Sequence, residues 1–462
     1  MFNLENNFHG KNSFHHGKLV IYIINTVLFI STFSLSAQDT IPGKDKPDRI
    51  KKGWTFGAIP AIAFDSDIGF KYGGVVNFYN YGNGETYPEY KHSIYLEWSR
   101  TTKGSGINQF TYDSKYLIPG IRLTAEASLL TEKALDFYGF NGYNALYNSA
   151  FEDDESEQYI SRMFYRHERK LTRIKSDFQG LLGDKGFRWF GGFAYYRSKI
   201  ATVDIDRLNE GLSEEEMLPD TNLLYDYYTD WGIIPEEQVK GGTTSLLKMG
   251  LVYDTRDNEP NPMRGMWTDL QFLLAPAFFG NGDLSYTRIA ITHRQYFTVV
   301  PKKLSFVYRT SYQGKLSGEM PFYMLPFVFN SAPTLTRDGL GGAKTIRGVL
   351  RNRIVGQDFL YGNFETRWKF YRNVVLNQNV YLALATFLDW GIITKKYDFD
   401  SSNIPPEYLY LVDGGKEKLH LGYGLGFHLA LNENFVLTVD YGLAADQRDG
   451  DQGIYMGLNF LF

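Results

Sequence analysis

The chain contains no cysteine. This excludes disulfide staples and thiolate metal sites while leaving the compartment open. A net charge of −4 over 462 residues gives no electrostatic footing for nucleic acid. Beyond Leu35 there is no run of about 18 apolar residues, which excludes spanning helices. Histidine is scarce after the N-terminal leader: His92, His167, His293, His420 and His428. None stands at helical metal-ligand spacing or beside a Gly-x-Ser-x-Gly nucleophile motif. No cofactor, metal site or enzymatic role is therefore expected. A dyad assembled across strands at a barrel rim, as in a rim hydrolase, stays open as a third reading.

What is abundant is aromatic and small: 34 Tyr, 35 Phe and 46 Gly, at a negative mean hydropathy. Such residues spread over short alternating segments suit a transmembrane β-barrel, whose signal per strand is weak. At the start, Lys11 and Lys18 precede an apolar run from Leu19 to Leu35, and Ser36-Ala37-Gln38 offers a small-residue cleavage site. This predicts a signal peptide over 1–37, a short periplasmic tail over 38–52 and a barrel over 53–462.

The alternation is clearest at Leu421, Tyr423, Leu425, Phe427, Leu429 and Leu431, interleaved with Gly422, Gly424, Gly426, His428 and Ala430. One face is apolar and the other small or polar, as for a strand between lipid and lumen. Phe435–Leu443 repeats the pattern, and so does the last strand with Ile454, Met456, Leu458, Phe460 and Phe462. Strands are expected near 54–64, 68–78, 90–100, 106–117, 121–131, 159–180, 187–198 and 245–255. Eight more follow near 266–275, 285–298, 303–312, 356–370, 379–391, 418–431, 435–445 and 452–462. Sixteen is an even number, as single-chain bacterial barrels require. Long connections (132–158, 199–244, 313–355, 392–417) alternate with short ones, which predicts external loops, periplasmic turns and both termini in the periplasm. Backbone groups left unpaired in hydrocarbon cost several kcal/mol, roughly, so the first and last strands are expected to meet.

Alternation also sorts the charges. Glu365 shares a face with Tyr361, Asn363 and Arg367, and Asp389 lies opposite Leu384, Leu388 and Trp390. Both carboxylates are expected to face inward, and Asn77, Lys91, Glu97 and Asp440 are expected in the lumen or near its rims. Asp254-Thr255-Arg256-Asp257-Asn258-Glu259 reads as a hydrophilic turn rather than a calcium loop, because Pro260 and Pro262 disrupt ligand spacing. Gly339–Thr345 lacks the glycine before its lysine that a phosphate-binding loop needs.

Three motifs in order carry a family resemblance. Ile346-Arg347-Gly348-Val349 resembles the arginine-glycine motif of the sixth external loop of bacterial surface-antigen barrels, the outer-membrane protein assembly factors of the BamA/TamA type. Tyr253–Asn258 with Pro262 and Gly265 resembles their mid-barrel turn, and Phe387-Leu388-Asp389-Trp390-Gly391 their Phe-x-Asp-x-Gly strand. The terminal Phe462, with Tyr455 and Phe460 on the same strand, resembles a barrel recognition signal at the seam. The resemblance covers 250–462 by motif and 53–250 by strand pattern.

It implies an all-β, sixteen-stranded antiparallel transmembrane barrel with an inward-folded external loop. Arg347 and Gly348 would lock that loop to Glu365, Asp389 and Gly391. It further implies residence in outer-membrane lipid and a role in outer-membrane protein assembly, insertion or translocation on unfolded outer-membrane protein substrates. Only about fifteen residues separate the cleavage site from the first strand, so a periplasmic partner is expected to supply what family members carry before the barrel. The alternative is a gated pore or surface binding protein that retains the scaffold without assembly activity.

Overall fold

The computed structural model describes residues 49–462 apart from 66–68, 184–185, 260, 334–338, 433 and 459–461. The expected leader, its cleavage site and most of the 38–52 tail lie outside the described residues.

The wall begins with β1 (Trp54–Pro60), β2 (Ala63–Asp65), β3 (Gly69–Asn80), β4 (His92–Thr101) and β5 (Gly106–Ile118). It continues through β6 (Ile121–Asp136), β7 (Arg166–Leu181), β8 (Phe187–Ala201) and β9 (Gly241–Asp254). Next come β10 (Gly265–Ala275), β11 (Tyr286–Val300), β12 (Leu304–Gly318) and β13 (Asp358–Val375). Last are β14 (Gln378–Lys395), β15 (His420–Leu431), β16 (Phe435–Ala444) and β17 (Gln452–Leu458). β1 and β2 are halves of one strand, since both pair with β3 in a single register, from Trp54↔Asn80 through Ala63↔Lys71. Each later strand pairs antiparallel with the one before it, so sixteen spanning strands form one sheet, as the alternation predicts.

Period two decides what each face meets. On β14, Tyr381, Ala383, Ala385, Phe387 and Asp389 are buried inward, whereas Leu384 and Leu388 are exposed outward. Asn77, Glu97 and Asp440 are buried on the inner face. One end of the wall carries tight turns: Leu376 and Asn377 have φ of 48° and 64°, the two positive values a primed hairpin turn needs. The opposite end carries long loops. Four of them (137–165, 202–240, 319–357 and 396–419) pack into one aromatic-rich cluster including Phe140, Tyr228, Phe322 and Leu411. The expected strand 159–180 starts only at Arg166, because Phe164 and Tyr165 belong to this cluster instead.

Closure departs from expectation. Among the described residues no register joins β17 to β1 or β2, so the sheet is not closed by a backbone ladder. β17 ends at Leu458, and Phe462 is buried inside against Tyr296 and Val307 of β11 and β12. Its ring lies 5.0 and 5.1 Å from the guanidinium carbons of Arg309 and Arg367, and its main-chain oxygen accepts from Arg367 Nη2 at 3.0 Å. Side chains span the seam instead. The Phe435 ring fills the space beside Gly57 that a side chain there would need. At the turn end, Tyr79 Oη donates to the Asn434 carbonyl (3.0 Å), and Asn434 Nδ2 donates to Tyr81 Oη (2.7 Å) and the Pro88 carbonyl (2.6 Å).

Candidate functional site

The loop between β12 and β13 folds back into the barrel as a narrow hairpin. A bridge between Leu340 and Ile354 and a bond from Gly342 N to the Val349 carbonyl (2.9 Å) close its sides. Thr345 Oγ1 donates to the Gly339 and Gly341 carbonyls and tightens the bend. Arg353 pins the base, donating to the carbonyls of Arg448 (2.7 Å), Gly142 (2.9 Å) and Ala145 (3.0 Å). Its apolar residues Leu340, Ile346, Val349 and Ile354 pack on Phe359, Tyr361 and Ile393 of the wall.

The tip is Arg347, fully buried. Its Nε lies 2.8 Å from Asp389 Oδ2 and its Nη2 3.1 Å from Asp389 Oδ1, a two-toothed grip that a planar guanidinium favours. Nη2 also reaches Glu365 Oε1 at 2.7 Å and Nη1 reaches Asp440 Oδ2 at 3.0 Å. The Arg347 main-chain N–H donates to Asp389 Oδ2 at 3.0 Å. The guanidinium lies 3.6 Å from the centre of the Phe387 ring. Three carboxylates thus converge from β13, β14 and β16 on one cation. Two further groups share the load: Arg367 Nε binds Glu365 Oε2 at 2.7 Å, and His428 Nε2 donates to Asp440 Oδ1 at 2.9 Å.

Glycines make the seat. Gly348 has φ of 93°, and a Cβ there would meet the Leu443 carbonyl oxygen at 2.3 Å. A Cβ on Gly422 would lie 1.9 Å from the Arg347 carbonyl oxygen, and one on Gly442 2.7 Å from Gly348 N. At Gly391 it would meet Ile346 Cδ1 at 2.5 Å. The inner faces of β14–β16 are therefore carved to admit the backbone of this turn. Gly348 N also donates to Tyr455 Oη at 2.8 Å, which ties the loop tip to β17, the last strand before the seam.

The structure thus brings together Arg347, Gly348, Glu365, Asp389 and Gly391, and adds Tyr455, expected only at the seam. Phe462 lies elsewhere, on the inner face of β11–β13, and Phe460 falls outside the described residues. Sequence reading missed Asp440 as a partner of Arg347, although alternation turns it inward; pairing of β16 beside β15 was the signal. It also missed Phe387 and the glycines 422 and 442, whose small-residue face could equally serve an empty lumen.

A second ionic cluster sits at the turn end. Glu259 bonds Arg122 and lies 3.2 Å from Lys115 Nζ and 3.3 Å from Arg256 Nη2. Burial raises the Glu259 carboxyl, but the charges of Arg122, Lys115 and Arg256 outweigh it and hold the group well below the usual carboxylate range. Asp254 is taken by Arg256 at 2.9 Å. Among the described residues no group of His, Asp and Glu is arranged to hold a metal ion. The histidines are engaged at scattered places: His420 with Asp449 (2.6 Å), His293 with Thr268 (2.7 Å) and His92 with Tyr112 (2.9 Å).

A sequence profile of the Omp85 superfamily domain matches residues 194–462. No curated protein matches the chain. Among solved structures, CdiB from Escherichia coli aligns with a TM-score of 0.51 at 12% identity, over 87% of this chain and 61% of that one. BamA from Haemophilus ducreyi lacking POTRA domains 1-3 aligns with a TM-score of 0.49 at 14% identity, over 88% of this chain and 70% of that one. The chain spans less than two thirds of the CdiB structure, and the likeness to it is one of fold.

Proposed function

Because the chain belongs to the Omp85 superfamily, we propose that this outer-membrane barrel inserts or translocates other proteins through the seam between β1 and β17. In this reading both termini and the tight turns face the periplasm and the long loops face outward. The supporting observation is the pairing of a locked loop with an unladdered seam. Arg347 is seated on three carboxylates, its neighbour Gly348 bonds Tyr455 of β17, and among the described residues β17 has no backbone ladder to β1. An exposed strand edge is a template for an incoming strand. The lock holds β17 in place at rest, and substrate pairing with β1 draws on the edge of that strand turned away from β3, where no register forms among the described residues. A periplasmic partner would deliver unfolded barrel proteins at the turn end, where Lys115, Glu89, Arg122 and Glu259 form a charged rim.

The test uses the absence of native cysteine. One cysteine is placed on β1 and one on β17, the barrel is reconstituted in liposomes, and folding of an added unfolded barrel protein is followed by gel mobility. Oxidation of the pair is expected to stop the acceleration and reduction to restore it. An unchanged rate with the seam bridged rules out passage through it.

A further inference from the structure

We propose that the outward face of β7 and β8, at their long-loop ends, is a binding site for the phosphorylated head group of a membrane lipid. Lys170, Arg197 and Lys199 are all exposed there. Lys170 stands directly opposite Lys199, and Arg197 directly opposite Thr172. Side chains so placed have Cβ atoms about 5 Å apart, and like charges facing each other are destabilising without a counter-ion. Arg197 and Lys199 share one strand face, two residues apart, roughly 7 Å along the strand. Lys240, also exposed, enters from the loop next to β9.

Among the described residues no carboxylate forms an ion pair with Lys170, Arg197 or Lys199. Glu168, one step further out on the same face of β7, already holds Lys133 at 2.8 Å and Arg207 at 2.5 Å. Thr131 on β6 lies opposite Lys170, and Thr243 on β9 opposite Arg197. Three strong cations flanked by hydroxyls, all of one sign, suit the oxygens of a phosphate.

Position selects a lipid over a soluble anion. The outward residues of β8 below the cluster are Phe187, Trp189, Gly191, Phe193 and Tyr195, with Ile174 and Phe178 beside them on β7. Ten residues separate Phe187 from Arg197. At about 3.3 Å per residue and a tilt of about 40°, that spans about 25 Å, the height of the apolar band of such barrels. Arg197 therefore sits at the band's edge, where acyl chains end and head-group phosphates begin. Assignment to the outer leaflet rests on the orientation proposed above; the phosphate chemistry does not.

The experiment is native mass spectrometry of the delipidated barrel in micelles, titrated with lipid A carrying two phosphates or with the same lipid dephosphorylated. The phosphorylated form is expected to be retained selectively. The triple substitution Lys170→Gln, Arg197→Gln, Lys199→Gln should weaken it on the order of a hundredfold, about fivefold per cation. A control pair at the turn end, Lys302→Gln with Lys303→Gln, should not. If the triple variant fails to fold, Arg197→Gln and Lys199→Gln alone are each expected to show the fivefold loss. Equal retention of both lipids, or wild-type binding by the variants, overturns the proposal. So does inorganic phosphate binding as tightly as lipid A at the same residues, which would assign the patch to free phosphate. None of these readouts uses assembly activity, so a negative result here leaves the seam reading standing, and the reverse.

Discussion

Replacing Arg347 by alanine should release the loop tip, at a cost set by what is stranded. Glu365 keeps Arg367 and Asp440 keeps His428. Asp389 keeps the main-chain N–H at position 347 and a hydrogen bond from the Asn363 side chain, but loses the guanidinium that grips both its oxygens. One buried carboxylate without its cation typically costs about 3–5 kcal/mol, and Asp389 carries most of that here. The hairpin base is held separately by Arg353 and by Leu350 N bonding the Asp449 carbonyl at 2.8 Å. The barrel should therefore persist while the tip lifts. Two measurements read this: denaturant unfolding in micelles, and protease cleavage within 340–354. Adding Asp389→Asn to Arg347→Ala removes the stranded charge and should recover at least about 2 kcal/mol, the coupling expected of a buried pair. A loss below about 1 kcal/mol in Arg347→Ala, or no recovery in the double variant, would refute the lock.

Further outcomes follow from the same geometry. Gly422→Ala puts a methyl group 1.9 Å from the Arg347 carbonyl oxygen; an overpacking cost of about 1–3 kcal/mol and faster loop cleavage are expected in the same two assays. Asn434→Ala removes the two bonds from its Nδ2 across the rim of the seam, and a thermal midpoint lowered by the equivalent of about 1–3 kcal/mol should result. Glu259 has a carboxyl held well below its unfolded value near 4.3. Its contribution is complete above about pH 4.3 and fades as pH falls through the lower folded value, so Glu259→Gln should be destabilised at pH 7 and converge on wild type only in stronger acid.

Much of this molecule is legible because a barrel wall obeys one rule along its length. Period two, with lipid on one side, leaves each strand few alternatives, so the expected sixteen appear in order, and their inward carboxylates, Glu365 and Asp389, follow from the alternation. The loops obey no such rule. The helices Ile205–Asn209 and Leu224–Asp230 and the aromatic packing of Phe140 on Tyr397 (4.8 Å) depend on contacts between segments far apart in the chain. The third carboxylate, Asp440, required knowing how deep the loop descends. The inward place of the Phe462 ring, beside the guanidiniums of Arg309 and Arg367, was not legible, because it depends on strands far away in the chain.

The most direct measurement is substrate contact at the seam. A photo-cross-linking group is placed at Phe56 on β1, with Leu251 on β9 as a mid-wall control, and an unfolded barrel protein is presented to the reconstituted barrel. The account predicts cross-links to the incoming chain from Phe56 and not from Leu251. Cross-links at neither position, or equally at both, would contradict it.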